Sequence, residues 1–203
     1  MKIYIIRHGE TDWNKARRLQ GQSDISLNEN GKKLAKRTAE ALKEVPFTKA
    51  FSSPLSRAME TANIILEGRQ IDVIADNRLL EISFGEYEGL CNAKDNYNIP
   101  DPDFHYFFDE PERYKVPNGG ESISSLCGRT TEFLNELIHN KACANDIILV
   151  ATHGAAVRGL LSSIKGNSIA QFWNDGFHKN CAVSLLDVKD GVANLIEEGK
   201  TYY

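Results

Sequence analysis

Short apolar runs alternate with longer amphipathic stretches along the whole chain. Residues 2–6, 49–52, 72–75 and 147–152 are too short for helices and read as strands. Between the first two, Leu34, Ala35, Thr38, Ala41, Leu42 and Val45 recur at helical spacing, with Asn28 as N-cap and Pro46 as the stop. A second helix is predicted over 55–66, with Pro54 preset for its first turn and Gly68 near its end. The longest stripe joins Ile123, Leu126, Cys127, Thr130, Phe133, Leu134, Leu137 and Ile138, and a further helix follows over 155–164. The β-branched, uncharged run 147–152 has the composition of a strand buried on both faces at the middle of a parallel sheet. Asp190-Gly191 between the runs 182–188 and 192–196 is a hairpin signal. This order predicts an α/β fold: a three-layer α/β/α arrangement around an open, mostly parallel sheet, with one antiparallel edge hairpin.

The periodicity breaks off between residues 90 and 120, where Pro100, Pro102, Pro111 and Pro117 stand among polar residues, and this stretch is expected to be an inserted lid. Phe104, Tyr106, Phe107, Phe108 and Tyr114 crowd into it, out of 18 aromatic residues in the chain, so it is not a solvated linker. Two readings stay open: the rings fold over a ligand, or they form a small core beneath a long loop. At 203 residues the chain is expected to be a single domain, 1–203, with 90–120 as its lid or substrate-specificity insertion.

Charge narrows the partners. Lys and Arg number 24 against 28 Asp and Glu, a net charge of −4, so there is no global positive field for nucleic acid or a membrane surface. Any anion must be held by a local cluster. No apolar run is long enough to cross a bilayer, and Arg7 interrupts the first run before a secretory signal forms. Cys91, Cys127, Cys143 and Cys181 lie far apart without a CxxC pair, suggesting neither a disulfide scaffold nor a zinc site. The expectation is a cytoplasmic protein with no metal and no cofactor.

Candidate chemistry gathers where strands end. His8 follows the first strand and His153 the strongest internal one, each before a glycine, Gly9 and Gly154. In an open α/β sheet, ligands bind outside the carboxyl ends of the strands. Either histidine alone reads as a structural one; the matched pair points to a site. Arg57 falls in the first turn of the second helix, where free N–H groups favour an anion, and Arg7 adds a second fork for phosphate oxygens. Glu81, between Leu79-Leu80 and Phe84-Gly85, has apolar neighbours that would desolvate it, as suits a general acid near neutrality. Taken singly, each also has a plain alternative: Arg57 as a helix-capping residue and Glu81 as an exposed loop carboxylate.

Several separated segments carry a resemblance, in order. They are Arg7-His8-Gly9-Glu10-Thr11 with Trp13-Asn14; Leu19-Gln20-Gly21; Ser52-Ser53-Pro54-Leu55-Ser56-Arg57-Ala58 with Glu60-Thr61-Ala62; Glu81-Ile82-Ser83-Phe84-Gly85 with Glu88-Gly89; and Thr152-His153-Gly154 with Arg158-Gly159. Together they resemble the histidine phosphatase superfamily, in its phosphoglycerate-mutase-like branch. Residues 91–118 match no pattern of that family. The resemblance implies that His8 accepts the phosphoryl group, that Arg7, Arg57 and His153 bind its oxygens, and that Glu81 donates the proton. Asn14, Gln20, Gly21 and Gly154 would be auxiliary substrate contacts.

The expected activity is metal-independent hydrolysis of a small-molecule phosphomonoester through a phosphohistidine, a phosphoric monoester hydrolase of the histidine acid type. The alternative is a cofactor-dependent phosphoglycerate mutase. The moderate insertion, an end at Tyr203 soon after the last strand, and Gly119-Gly120-Glu121-Ser122 favour the phosphatase. A metal-dependent hydrolase using His8, His153 and Glu81 as ligands lacks HxH or HExxH spacing, and a binding module that has lost turnover would not need every catalytic position filled. The partner expected is a phosphorylated small molecule, with neither nucleic acid nor membrane, and a homodimer is admitted. The lid aromatics suggest a partly apolar or planar leaving group. Glu10 and Glu121 are expected either at the pocket mouth or in solvent, and His105, His139 and His178 in ordinary surface, helix-end and loop positions.

Overall fold

A computed structural model describes residues 1–203. Strands β1 (Lys2–Arg7), β2 (Lys49–Ser52), β3 (Val73–Ala75), β4 (Ile147–Thr152), β5 (Val183–Lys189) and β6 (Val192–Lys200) form one sheet in the order β3-β2-β4-β1-β5-β6. β3, β2, β4 and β1 run parallel, while β5 is antiparallel to β1 and β6 to β5. The helices are α1 (Asp12–Lys15), α2 (Glu29–Ala41), α3 (Ser56–Ile65), α4 (Tyr106–Asp109), α5 (Ile123–His139) and α6 (Gly154–Lys165).

Strand alternation builds the three expected layers. Ile3 and Ile5 of β1 with Ile148 and Val150 of β4 face Phe133, Leu134 and Leu137 of α5 and Val157, Leu160 and Leu161 of α6. Ile6, Leu149 and Ala151 point the other way, into a core shared with Ala35 of α2 and Ala62 and Ile65 of α3. β4 is central and buried on both faces, as its composition requires.

The boundaries shift where distant residues intervene. α2 is capped by Asn28, whose side chain accepts from Gly31 N at 2.8 Å, but it ends well before Pro46. Arg69 donates to the Leu42 and Lys43 carbonyls at 2.9 and 3.0 Å, taking acceptors that a longer helix would have used. α3 starts at Ser56 with Leu55 as N-cap, so Pro54 lies outside it rather than in its first turn. The hairpin turn has Asp190 at φ 52° and Gly191 at φ 76°, both in the left-handed region that a two-residue primed turn needs.

Residues 90–120 hold only α4 and two short 3₁₀ turns, Lys94–Asn96 and Pro111–Arg113. Isolated bridges pair Arg18 with Cys91 and Phe84 with Gly120, pinning both ends of this segment to the body. Its aromatics divide. Phe104 and Phe107 are buried in a third core with Ile82, Phe84, Leu126 and Phe172; Tyr114 packs on both of them; and Tyr106 lies under Arg113, whose Cζ is 3.8 Å from its ring centroid. The small-core reading therefore holds for Phe104, Phe107 and Tyr114.

Candidate active site

The parallel register of β1 and β4 aligns Arg7 with Thr152, so the next residues, His8 and His153, leave the sheet side by side. His8 N–H donates to the Thr152 carbonyl at 2.9 Å, and the two imidazole centroids stand 5.2 Å apart. The loop after His8 lies close against α2: a Cβ on Gly9 would stand 2.7 Å from the Gly31 carbonyl oxygen.

His8 is buried, with Nδ1 2.6 Å from the carbonyl of Gly9. A carbonyl only accepts, so Nδ1 carries the proton and Nε2 keeps a lone pair. Burial, reinforced by the Arg57 and Arg7 charges, pulls the imidazole well below its ordinary pKa and keeps it neutral.

His153 is fully buried and differently engaged. Arg57 Nε donates to its Nδ1 at 3.1 Å, which places the proton on Nε2, 2.7 Å from Ser53 Oγ. Burial and then Arg57 hold it, too, well below the usual histidine range. Both ring nitrogens are hydrogen-bonded within the protein. In this structure it orients Arg57.

Arg57, fully buried, also donates through NH1 to Ser23 O at 2.8 Å and through NH2 to Gly21 O at 2.7 Å. Each terminal nitrogen retains a second hydrogen. Burial, opposed by Glu81, brings its pKa down to about 10. The expected anion site at the start of α3 is taken by the protein, since Ser56 N–H donates to the Asp24 carboxylate at 2.8 Å. Arg7 donates from NH1 to the His178 carbonyl at 2.5 Å, while its Nε is buried with no partner.

Glu81 is held by amides instead of apolar neighbours. Ala155 N–H donates to Oε2 at 3.2 Å, and Ala156 and Ile82 N–H donate to Oε1 at 3.1 and 3.0 Å. The first two are free donors at the start of α6. A Cβ on Gly154 would lie 3.7 Å from both Arg7 Nε and Glu81 Oε2, so this glycine sits where the two groups converge. Arg129 grips the backbone beneath: NH1 donates to Arg78 O and Leu80 O at 2.9 and 2.7 Å, and NH2 to Glu81 O at 3.1 Å. Glu121 accepts from Arg129 Nε and NH2 at 2.8 and 2.7 Å, placing it in this clamp rather than at the mouth. Glu10 accepts from Asn28 Nδ2 at 2.9 Å and does not line the cleft.

Arg7, His8, Arg57 and Glu81 line one cleft of about 140 Å³, together with Asn14, Gln20, Gly21 and Gly154. Asn14 Oδ1 accepts from Thr11 N–H and Asn180 Nδ2, leaving its own amide hydrogens unspent. Gln20 Oε1 accepts from Thr11 Oγ1. The rings of Phe84, Phe107, Phe108, Trp173 and Phe177 line the same cleft, joined by Arg18 and His178. His178 is 5 % exposed, with Nε2 3.1 Å from Ser184 Oγ and a pKa lowered by burial to about 4. It lies in the loop before β5, as expected, but buried instead of exposed. Sequence reading also missed Ser53 as the partner of His153, Arg129, Trp173 and Phe177. Of these only Ser53 stands in a recognised motif; the rest come together through packing alone.

A family model described as the histidine phosphatase superfamily, branch 1, matches residues 3–199. "Phosphoserine phosphatase 1" of Hydrogenobacter thermophilus is 32 % identical over 94 % of this chain and 88 % of its own. "Phosphoglycerate mutase-like protein 4" of Arabidopsis thaliana is 35 % identical over 78 % of this chain and 69 % of its own. Among solved structures, Bacillus stearothermophilus YhfR superposes with a TM-score of 0.91 at 31 % identity, covering 98 % of this chain and 97 % of that one.

Proposed function

The chain belongs to branch 1 of the histidine phosphatase superfamily, and from that premise we propose that it is a phosphatase hydrolysing a small-molecule phosphomonoester through a phosphohistidine on His8. The observation that carries this reading is the tautomer of His8. Its Nδ1–H is committed to Gly9 O, and the lone pair of Nε2 belongs to a residue lining the same cleft as two guanidiniums.

In the proposed reaction Nε2 attacks phosphorus in line and the P–O bond to the leaving group breaks. Glu81, protonated for this step, delivers its proton to the departing alkoxide. As a carboxylate it then takes a proton from water, which attacks the phosphohistidine and releases inorganic phosphate. Arg57, its planar fork oriented by His153, Ser23 and Gly21, and Arg7, with Nε free, hold the equatorial oxygens as charge redistributes. The two guanidiniums supply the charge that a divalent cation would otherwise bring, so the reaction is read as metal-independent and should persist in excess chelator. Asn14 and Gln20 serve as auxiliary contacts. Residues 1–203 act as one catalytic unit, with 90–120 as its specificity segment. The substrate is a free phosphorylated small molecule rather than a nucleic acid or membrane, in keeping with the net charge of −4. No helix is long and apolar enough to cross a membrane; a cytoplasmic location belongs to the proposal.

The test is phosphate release from p-nitrophenyl phosphate by wild type and His8→Ala, with a rapid quench in alkaline detergent to trap the adduct. The expected result is a loss of at least about 10³-fold and an acid-labile phosphoryl group on His8 of the wild type only. Undiminished turnover by folded His8→Ala would overturn the mechanism. The mutase alternative, for which the Arabidopsis relative's name speaks, is separated by 3-phosphoglycerate: isomerisation that needs 2,3-bisphosphoglycerate and releases no phosphate would replace the phosphatase assignment.

A further inference from the structure

The cleft has two chemically distinct halves. One is charged and contains His8, Arg7, Arg57 and Glu81; the other is built from rings supplied by segments far apart in sequence. Phe108 comes from α4, whereas Trp173 and Phe177 come from the loop between α6 and β5. Trp173 and Phe177 lie 4.6 Å apart between centroids, Phe108 and Phe177 5.6 Å, and Phe108 and Trp173 6.0 Å.

This wall is fixed in place. Trp173 Nε1 donates to the Phe107 carbonyl at 2.6 Å, tying the two segments together. The buried Arg158 of α6 donates to Phe172 O at 3.2 Å, to Asp175 at 2.8 Å and to Glu198 of β6 at 2.7 Å, anchoring the loop from below. Yet Phe177 is left 61 % exposed, a large ring held open at the mouth of a phosphoryl site.

We propose that the alcohol released by this site carries an aromatic ring, seated against Phe108, Trp173 and Phe177. This inference rests on the phosphatase reading above and deepens it by naming the class of leaving group. Three mutually tilted rings present faces and edges that favour an incoming aromatic group over a merely apolar one. A polyol phosphate is disfavoured, because outside Arg7, His8, Arg57 and Glu81 the cleft offers just four polar side chains, Asn14, Arg18, Gln20 and His178, against five aromatic rings. Most of its hydroxyls would lose water without gaining a partner, and such unpaired groups are strongly discriminated against.

The experiment compares kcat/KM for 2-phenylethyl, 2-cyclohexylethyl and propyl phosphate, all primary alkoxide leaving groups, so that differences report binding of the organic part. The 2-phenylethyl ester is expected to exceed the propyl ester by at least about 10-fold, with the cyclohexyl ester clearly below it. In Phe177→Ala, whose ring is exposed, the phenyl-to-propyl ratio should narrow. Equal values for phenyl and propyl, or for phenyl and cyclohexyl, would overturn the aromatic assignment. His8→Ala separates the two levels: if His8-dependent hydrolysis persists without phenyl preference, this inference fails alone. A comparison independent of turnover uses titration calorimetry of 2-phenylethylphosphonate and propylphosphonate. Tighter binding of the phenyl compound supports the proposal even if the reaction is not hydrolysis, and equal affinity sinks it.

Discussion

His8 and His153 are both neutral imidazoles buried beside Arg57, yet their neighbours give them opposite tasks. A carbonyl at Nδ1 leaves His8 with a free Nε2; an arginine at Nδ1 and a hydroxyl at Nε2 leave His153 with nothing free. The first is equipped to attack and the second to orient. Because burial, Arg57 and Arg7 all lower the pKa of His8, its neutral form, the proposed nucleophile, persists below the ordinary histidine range. The acid limb of kcat/KM, corrected for the substrate's own second ionisation, is therefore expected below about pH 6.5. A midpoint at or above that value would show that the imidazole titrates as an ordinary one.

Between elements, the principal device is the clamp from α5 to the Glu81 segment. Arg129 binds three carbonyls of residues 78–81 while Glu121, just before α5, holds its guanidinium from the other side. The end of residues 90–120 and Glu81 thus share one support. Replacing Arg129 by Met removes a planar fork that a point charge does not reproduce, and displacement of the carboxylate by about 1 Å is enough to cost roughly 10²-fold. Arg129→Met is expected to lower kcat by that order with a smaller change in KM, and Arg129→Lys to recover only part. Steady-state kinetics read the split; a rise in KM at constant kcat would assign Arg129 to substrate binding instead of positioning.

Across the molecule, three imidazoles are folded away in the neutral state: His8, His153 and His178, the last with its pKa lowered to about 4. Unfolded, each titrates near 6.5. Between these values the unfolded chain takes up protons that the folded chain refuses, so stability rises with pH and is lost as pH falls below about 6.5. Each group that stays neutral contributes a slope of about 1.4 kcal/mol per pH unit. The urea midpoint is expected to drop steadily between about pH 6.5 and 4.5 at an unchanged m-value. A flat midpoint across that window would mean that the imidazoles accept protons without unfolding.

The strands, the four long helices and the layer order were legible in the sequence, because periods of 2 and 3.6 residues are written locally and a buried face demands them. So were His8, Arg7, Arg57, His153 and Glu81, since strand ends and helix starts are local features and the motifs lie contiguous in the chain. What each of these side chains bonds to was not. Asp24 taking the start of α3, Ser53 occupying His153, the amides of α6 holding Glu81 and Arg129 gripping it from below are contacts between residues 32 to 100 positions apart. The same holds for the pairing of Phe108 with Trp173 and Phe177. Hydrogen bonds and packing act over a few ångströms in space with no fixed separation along the chain. The tautomer of a histidine and the second wall of a cleft are therefore set when the layers close, and not before.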